Sequence, residues 1–202
     1  EQHSFAGMYE TVLGVRTAAA LREAITRCRE SANSPRVQAY LGENALSQTP
    51  VSVVIQELIV GQSSGVAFSS DPMDPERVLI SSTWGLGEGV VSGIAPADTF
   101  RVDRRGTVEA WVVAKDIMIA MPAEAEEATE RPVPKAQMRE PSLPDPAAAM
   151  LAGLARRLEE ALGGPQDIEW TRRGDELVIL QTRPIPQPIP SGRRLLWDNS
   201  NI

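Results

Sequence analysis

Between residues 11 and 30 the apolar positions are Val12, Leu13, Val15, Ala19, Leu21, Ala24, Ile25 and Cys28, and the last four fall on one stripe of a helix. The spacing predicts a helix over residues 17–31, capped by Thr17, with Arg22, Arg27 and Arg29 on its solvated side. A second short helical piece is expected through Val37 to Leu41, stopped by Gly42. At residue 51 the texture changes to a run rich in β-branched residues that predicts a strand over 51–60, ended by Gly61. Further strands are expected over 65–70, closed by a turn at Asp71 to Pro75, and over 78–83, running into the cluster Gly85, Gly87 and Gly89. Alternation of apolar and polar residues on either side of Gly106 predicts a hairpin of 99–103 with 108–113. Strands that follow one another through short turns imply a largely antiparallel sheet.

Residues 122–146 break this pattern. They hold six of the 16 prolines together with Glu124, Glu126, Glu127 and Glu130, and they read as a surface excursion or mobile loop in which no core forms. Asp145 as N-cap and Pro146 in the first turn then open a helix. Its predicted apolar stripe is Leu151, Leu154, Leu158, Ala161 and Leu162, with Arg156, Arg157, Glu159 and Glu160 outside and Gly163 as the stop. Two strands follow, 167–171 and 176–182, joined by a turn at Gly174. The alternating prolines of 184–190 read as a stiff linker.

Composition narrows the chemistry. The 202 residues carry a net charge of −7, shared almost equally by the two halves, so no basic surface for nucleic acid is expected. No apolar run approaches the ~18 residues of a membrane span, and the polar opening is no signal peptide, which together predict a cytoplasmic protein with no membrane partner. One cysteine, Cys28, and one histidine, His3, exclude an internal disulfide, a cysteine-only zinc site and a Ser-His-Asp triad built within this chain. Chemistry here has to use carboxylates, Arg, Lys, backbone amides and a bound cofactor.

Polar residues inside otherwise apolar strands are the candidates. Glu169, with Gln181 and Arg183 on the next strand, would converge on one sheet face if the strands pair about Gly174. A carboxylate, an amide oxygen and a guanidinium suit a Mg²⁺-bound polyphosphate, and they equally suit a surface cross-strand pair. The Gly85 to Gly89 cluster fits either a phosphate loop or a tight strand-to-helix turn, and it matches neither the Rossmann spacing nor a P-loop. Gly7 and Thr11 fit either a phosphate contact or a capped turn, and Gln56 with Glu57 fits either an adenine-reading edge or a solvent face. Lys115 and Asp116 have no partner visible in the pattern and read as structural or surface residues.

In this order, the segments resemble the nucleotide-binding domain of the phosphoenolpyruvate synthase and pyruvate phosphate dikinase family, which also includes rifampicin phosphotransferases. The opening from Ser4 through Gly7 to Thr11 is similar to the family's S-F-A-G-x-x-[DE]-T loop. Val54 to Ile59 with Ser64 to Phe68 resembles its V-Q-x-M-V and S-G-V-x-F strands, and Gly85 to Gly93 its G-L-G-E-x-V-V-S-G segment. Gly164 to Trp170 and Ile179 to Ile185 resemble G-P-x-D-I-E-W and L-Q-[ST]-R-P-I.

The resemblance implies an α+β, ATP-grasp-type fold, a largely antiparallel sheet with packed helices, incomplete at its N-terminal side. It implies a partial ATP-grasp domain over 1–183, with a linker and lead-in to an absent domain over 184–202. It also implies ATP and Mg²⁺ as cofactors. Glu169 and Gln181 would bind Mg²⁺, Arg183 would contact phosphate as the catalytic residue, Gly7 and Thr11 would belong to a phosphate-covering loop, and Gln56, Glu57, Leu58 and Ile59 would lie along the adenine. The reaction it implies splits ATP and passes phosphate to a histidine on a separate domain, and from there to pyruvate. The implied partners are a phosphohistidine domain, an acceptor-binding domain and a small-molecule acceptor. Met8 stands where the family usually has Gln. The family's Gly-Gly-Lys stretch, its Val-Arg-Ser-Ser strand and its phosphohistidine motif do not occur. A piece of a longer phosphotransferase, inactive as 202 residues alone, is therefore expected. The alternatives are a piece of a rifampicin-phosphotransferase-like enzyme and a non-catalytic binding module.

Overall fold

A computed structural model describes residues 8–43, 51–122 and 127–185. The chain divides into two compact units, one of Glu1–Leu58 with Pro122–Ala128 and one of Ile59–Met121 with Thr129–Asn201. In the first, helix α1 (Ala18–Ser31) begins where the Thr17 hydroxyl accepts from the Ala20 amide at 3.1 Å, the expected cap. Ala24 is buried and Leu21, Ile25 and Cys28 are half-buried, so the stripe lies where the spacing put it. Glu10 pairs with Arg27 and its amide donates to Ser31 Oγ at 3.0 Å, tying the preceding segment to the helix. Helix α2 (Pro35–Glu43) buries Val37 and Leu41 and runs through Gly42 instead of stopping there. Residues 51–60 form no strand: they have no ladder partner among the described residues, and Val54 and Ile55 are exposed. β-branched composition fits a residue to a pleated surface, but only a pairing edge makes the strand.

The second unit is built on a six-stranded antiparallel sheet. Its strands are β1 (Ser63–Phe68), β2 (Val78–Trp84), β3 (Asp98–Val102), β4 (Val108–Trp111), β7 (Gln166–Arg173) and β8 (Glu176–Pro184), in the order β4-β3-β2-β1-β7-β8. The short helix α3 (Glu88–Val91) follows β2, and β5 (Ile117–Ala120) pairs with β6 (Thr129–Pro132) as a separate ribbon. The long helix α4 (Asp145–Leu162) covers one face of the sheet. There Ala148, Leu151, Ala152 and Ala155 meet Ala67, Ile80, Phe100, Val102, Ile168 and Trp170, all fully buried. The small alanines allow close approach, so the buried stripe runs through them. Leu154 and Leu158 are half-buried, and Ala161 and Leu162, expected inside, are exposed at the helix end. Pro144 occupies the N-cap position and Asp145 is the first helical residue, so the helix begins one residue earlier than expected; Gly163 at φ 78° supplies the left-handed C-cap. Arg156, expected in solvent, donates to the Val102 and Asp103 carbonyls at 2.8 Å each.

The proline-rich stretch is corrected more substantially. Val133, Ser142 and Leu143 are buried, and Leu143 belongs to the main core. The segment is held by single anchors and not by periodicity: Val133 N–H donates to Asp116 O at 2.9 Å and Lys115 N–H to Met138 O at 2.8 Å. Among the described residues no helix is long and apolar enough to cross a membrane.

Close packing at the sheet centre gives a test of the register. A Cβ on Gly65 would lie 1.9 Å from the Ser81 carbonyl oxygen of the neighbouring strand. Gly65→Ala is expected to destabilise the fold by about 3 kcal/mol in a urea titration, at the upper end of the range for overpacking. A loss below 1 kcal/mol would mean that β1 and β2 do not meet in this register.

Candidate functional site

Successive residues of a strand face opposite sides of a sheet, and the register fixes which residues share the face turned away from α4. Ile168 and Trp170 of β7 point into the core, so Asp167 and Glu169 point away from it. Two transverse rows result. One runs Trp111, Thr99, Ser81, Val66, Glu169, Gln181, and the next runs Glu109, Arg101, Leu79, Phe68, Asp167, Arg183. Glu169, Gln181 and Arg183 therefore lie on one face of one hairpin, with Glu169 directly opposite Gln181.

A β-bulge makes this arrangement possible. Leu177, Ile179, Gln181 and Arg183 alternate in step and would all share one face of a regular strand. Trp170 pairs with Ile179 while Glu169 pairs with Gln181, so Leu180 is an extra residue that reverses the alternation. Leu177 and Ile179 pack on the core, and Gln181 and Arg183 emerge on the opposite face. The hairpin itself is pinned at its turn. Gly174, at φ 61°, donates its N–H to Gln62 Oε1 at 2.8 Å, while the Gln62 N–H reaches Arg172 O at 2.8 Å. Ser64 and Thr171 hydroxyls, both buried, bond at 2.8 Å between β1 and β7.

Charges on this face are unevenly satisfied. Arg183 Nε donates to Asp167 Oδ2 at 2.7 Å. The Glu169 carboxylate receives no hydrogen bond or ion pair among the described residues. Burial pushes its pKa above the usual 4.5, the Arg183 charge pulls it back in part, and the Asp167 charge adds to the rise. A half-buried carboxylate without a partner among the described residues, opposite an exposed amide, fits a hard cation that lacks a complete protein cage. Among the described residues no group of three or more His, Cys, Asp or Glu could hold a metal. One carboxylate with waters and ligand phosphates is nevertheless an ordinary Mg²⁺ environment. Asp167 was not singled out in the sequence, although its i, i+2 spacing from Glu169 marks it as a residue of the same face.

The other candidates are distributed differently. Gly7 lies outside the described residues. Thr11 is exposed in a segment without regular structure, in the unit that also holds Gln56, Glu57 and Leu58, all exposed; Ile59 is half-buried in the unit of the hairpin. The glycine cluster is a strand-to-helix turn: Gly85 at φ 78° donates to Gln62 O at 2.9 Å, and a Cβ there would lie 2.2 Å from Ile119 O. Lys115 is fully buried against Asp98 at 2.6 Å, a pair absent from the sequence pattern.

The pyruvate phosphate dikinase AMP/ATP-binding domain model matches residues 1–189. A rifampicin phosphotransferase of Streptomyces sviceus is 35% identical over 93% of this chain and 22% of its own length. A probable phosphoenolpyruvate synthase of Methanothermobacter thermautotrophicus is 37% identical over 90% of this chain and 27% of its own. A prodigiosin synthesizing transferase of Serratia marcescens is 34% identical over 91% of this chain and 21% of its own. The chain thus spans about a quarter or less of the length of these relatives. With the match covering nearly all of its residues, the chain belongs to the pyruvate phosphate dikinase AMP/ATP-binding domain family.

Proposed function

We propose that this chain is the ATP-binding part of an ATP-grasp-type phosphotransferase, with Mg²⁺ and the polyphosphate lying on the outer face of the β7–β8 hairpin. The observation that carries this reading is the pairing of Glu169 with Gln181, with Asp167 and Arg183 in the adjacent row of the same face. Glu169 and Gln181 would hold the cation through oxygen, and Arg183 would meet phosphate oxygens with its guanidinium. Bound Mg²⁺ would supply neutralisation of the charge on the transferring phosphoryl group. Gly7 and Thr11 would cover the phosphates, and the segment from Gln56 to Ile59 would lie along the adenine. Phosphoryl transfer needs positioning and charge more than a covalent nucleophile, so the scarcity of His and Cys in this chain is no obstacle.

The phosphate would pass to a histidine of a separate domain and then to a small-molecule acceptor such as pyruvate. Relatives named for different activities resemble this chain almost equally, at 35%, 37% and 34% identity. This supports assigning the choice of acceptor to regions outside the chain. Calorimetric titration of the protein at its natural length with ATP, with and without Mg²⁺, tests the reading. Binding tightened at least tenfold by Mg²⁺ is expected; ATP affinity indifferent to the cation would overturn it.

A further inference from the structure

We propose that Asp167 is a positioning residue that sets the direction of the Arg183 guanidinium. The inference rests on the nucleotide reading of the hairpin for its consequence, but on the local geometry for its substance. Asp167 and Arg183 are register partners, one row from Glu169 and Gln181. The Asp167 side chain is 10% exposed and that of Arg183 28%, so the pair is shielded from most solvent competition. The contact uses one carboxylate oxygen, Oδ2, and one guanidinium nitrogen, Nε. Among the described residues the other oxygen, Oδ1, is buried without a hydrogen-bond partner, and the Arg183 guanidinium is engaged through Nε alone, with neither Nη group bonded. Arginine's five donors form a rigid planar fork. Fixing Nε therefore fixes where the Nη1–Nη2 edge points, and that edge is left for a bidentate contact with an anion. The bulge at Leu180 contributes by turning Arg183 onto the Asp167 face at all. Asp167 acts here through Arg183, without touching the nucleotide.

A double-mutant cycle with an independent spectroscopic readout tests this. In the nucleotide-free protein the Arg183 Nε–H is expected to give a resolved, slowly exchanging NMR signal that disappears in Asp167→Ala and persists, shifted, in Asp167→Asn. For Mg²⁺-dependent ATP binding, Asp167→Ala is expected to cost about tenfold and Arg183→Ala about a hundredfold, with the double variant no worse than Arg183→Ala alone. Additive losses would mean that Asp167 meets the cation or nucleotide directly, and would overturn the positioning role. An Arg183 Nε–H signal unaltered by Asp167→Ala would overturn it as well. If Arg183→Ala leaves ATP affinity unchanged, the nucleotide reading of the hairpin fails, and the NMR comparison still decides the pair.

Discussion

Glu169→Gln is expected to lower Mg²⁺-dependent ATP affinity about a hundredfold, ~3 kcal/mol, the scale of losing a charged ligand to a polyphosphate-bound cation. The substitution keeps side-chain size and an oxygen opposite Gln181, and removes only the charge. Its effect on the nucleotide-free fold is expected to have the opposite sign. Burial raises the Glu169 pKa above its usual 4.5, so the unfolded chain ionises this group more readily than the folded one. Above the folded pKa that difference opposes folding, and the penalty disappears as pH falls through the folded pKa toward the unfolded value. The Gln variant has no such group. At neutral pH it should melt at or slightly above the temperature of the parent and lack the parent's gain in stability on mild acidification. Thermal melts over the pH range alongside ATP calorimetry separate the two effects. A variant that both binds Mg²⁺-ATP normally and melts with the parent's pH profile would remove Glu169 from the site.

Local chemistry made much of the second unit legible. The alternation about Gly106, which sits at φ 84°, located the β3–β4 hairpin, and the turn at Gly174 located β7 and β8. Both are contacts between near neighbours, where turn residues and period-two patterning act together. The segment at 51–60 has the composition of a strand, yet a strand is a relation between two segments, and residue choice in one of them does not supply the other. The bulge at Leu180 was hidden for a related reason: Val178, Ile179 and Leu180 are all apolar, so nothing in the run marks which residue is extra. Pairing about the Gly174 turn was enough to bring Glu169 near residues 179–181, but the bulge at Leu180 decides that Gln181 and Arg183 share the face of Glu169. Arg183's partner Asp167 lies sixteen residues away across that same hairpin and could have been found by extending the register two residues. The Asp98–Lys115 pair could not, since its Ser142 partner comes from a segment whose prolines pointed to the surface.

That buried pair carries the largest stability effect expected in the molecule. Asp98 Oδ1 accepts from Lys115 Nζ at 2.6 Å and from the Val113 amide at 3.0 Å, while Oδ2 accepts from the Ser142 amide at 2.8 Å and hydroxyl at 2.7 Å. Lys115 also donates to Val113 O at 2.9 Å, and both side chains have no exposed surface. Among the described residues every partner of the carboxylate comes from residues 113–115 or from Ser142, so the network fastens the chain on both sides of the β5–β6 ribbon to the start of β3. Lys115→Met keeps the length and apolar stem but leaves a buried carboxylate without a countercharge, and is expected to cost about 3–5 kcal/mol in urea unfolding. Asp98→Asn combined with Lys115→Met removes both charges and keeps one amide oxygen, which can serve the Ser142 amide and hydroxyl but leaves the Val113 N–H facing the amide nitrogen, and should recover about half of that loss. The comparison isolates the unpaired charge from the lost packing. Equal destabilisation by the single and double variants would show that hydrogen bonding and volume, not the ion pair, hold the segment. A single-variant loss under 1 kcal/mol would mean that water reaches the pair. Hydrogen exchange gives the local readout: the Ser142 and Val113 amides should exchange much faster in Lys115→Met, while those of β7, remote from the network, should follow only the change in global stability.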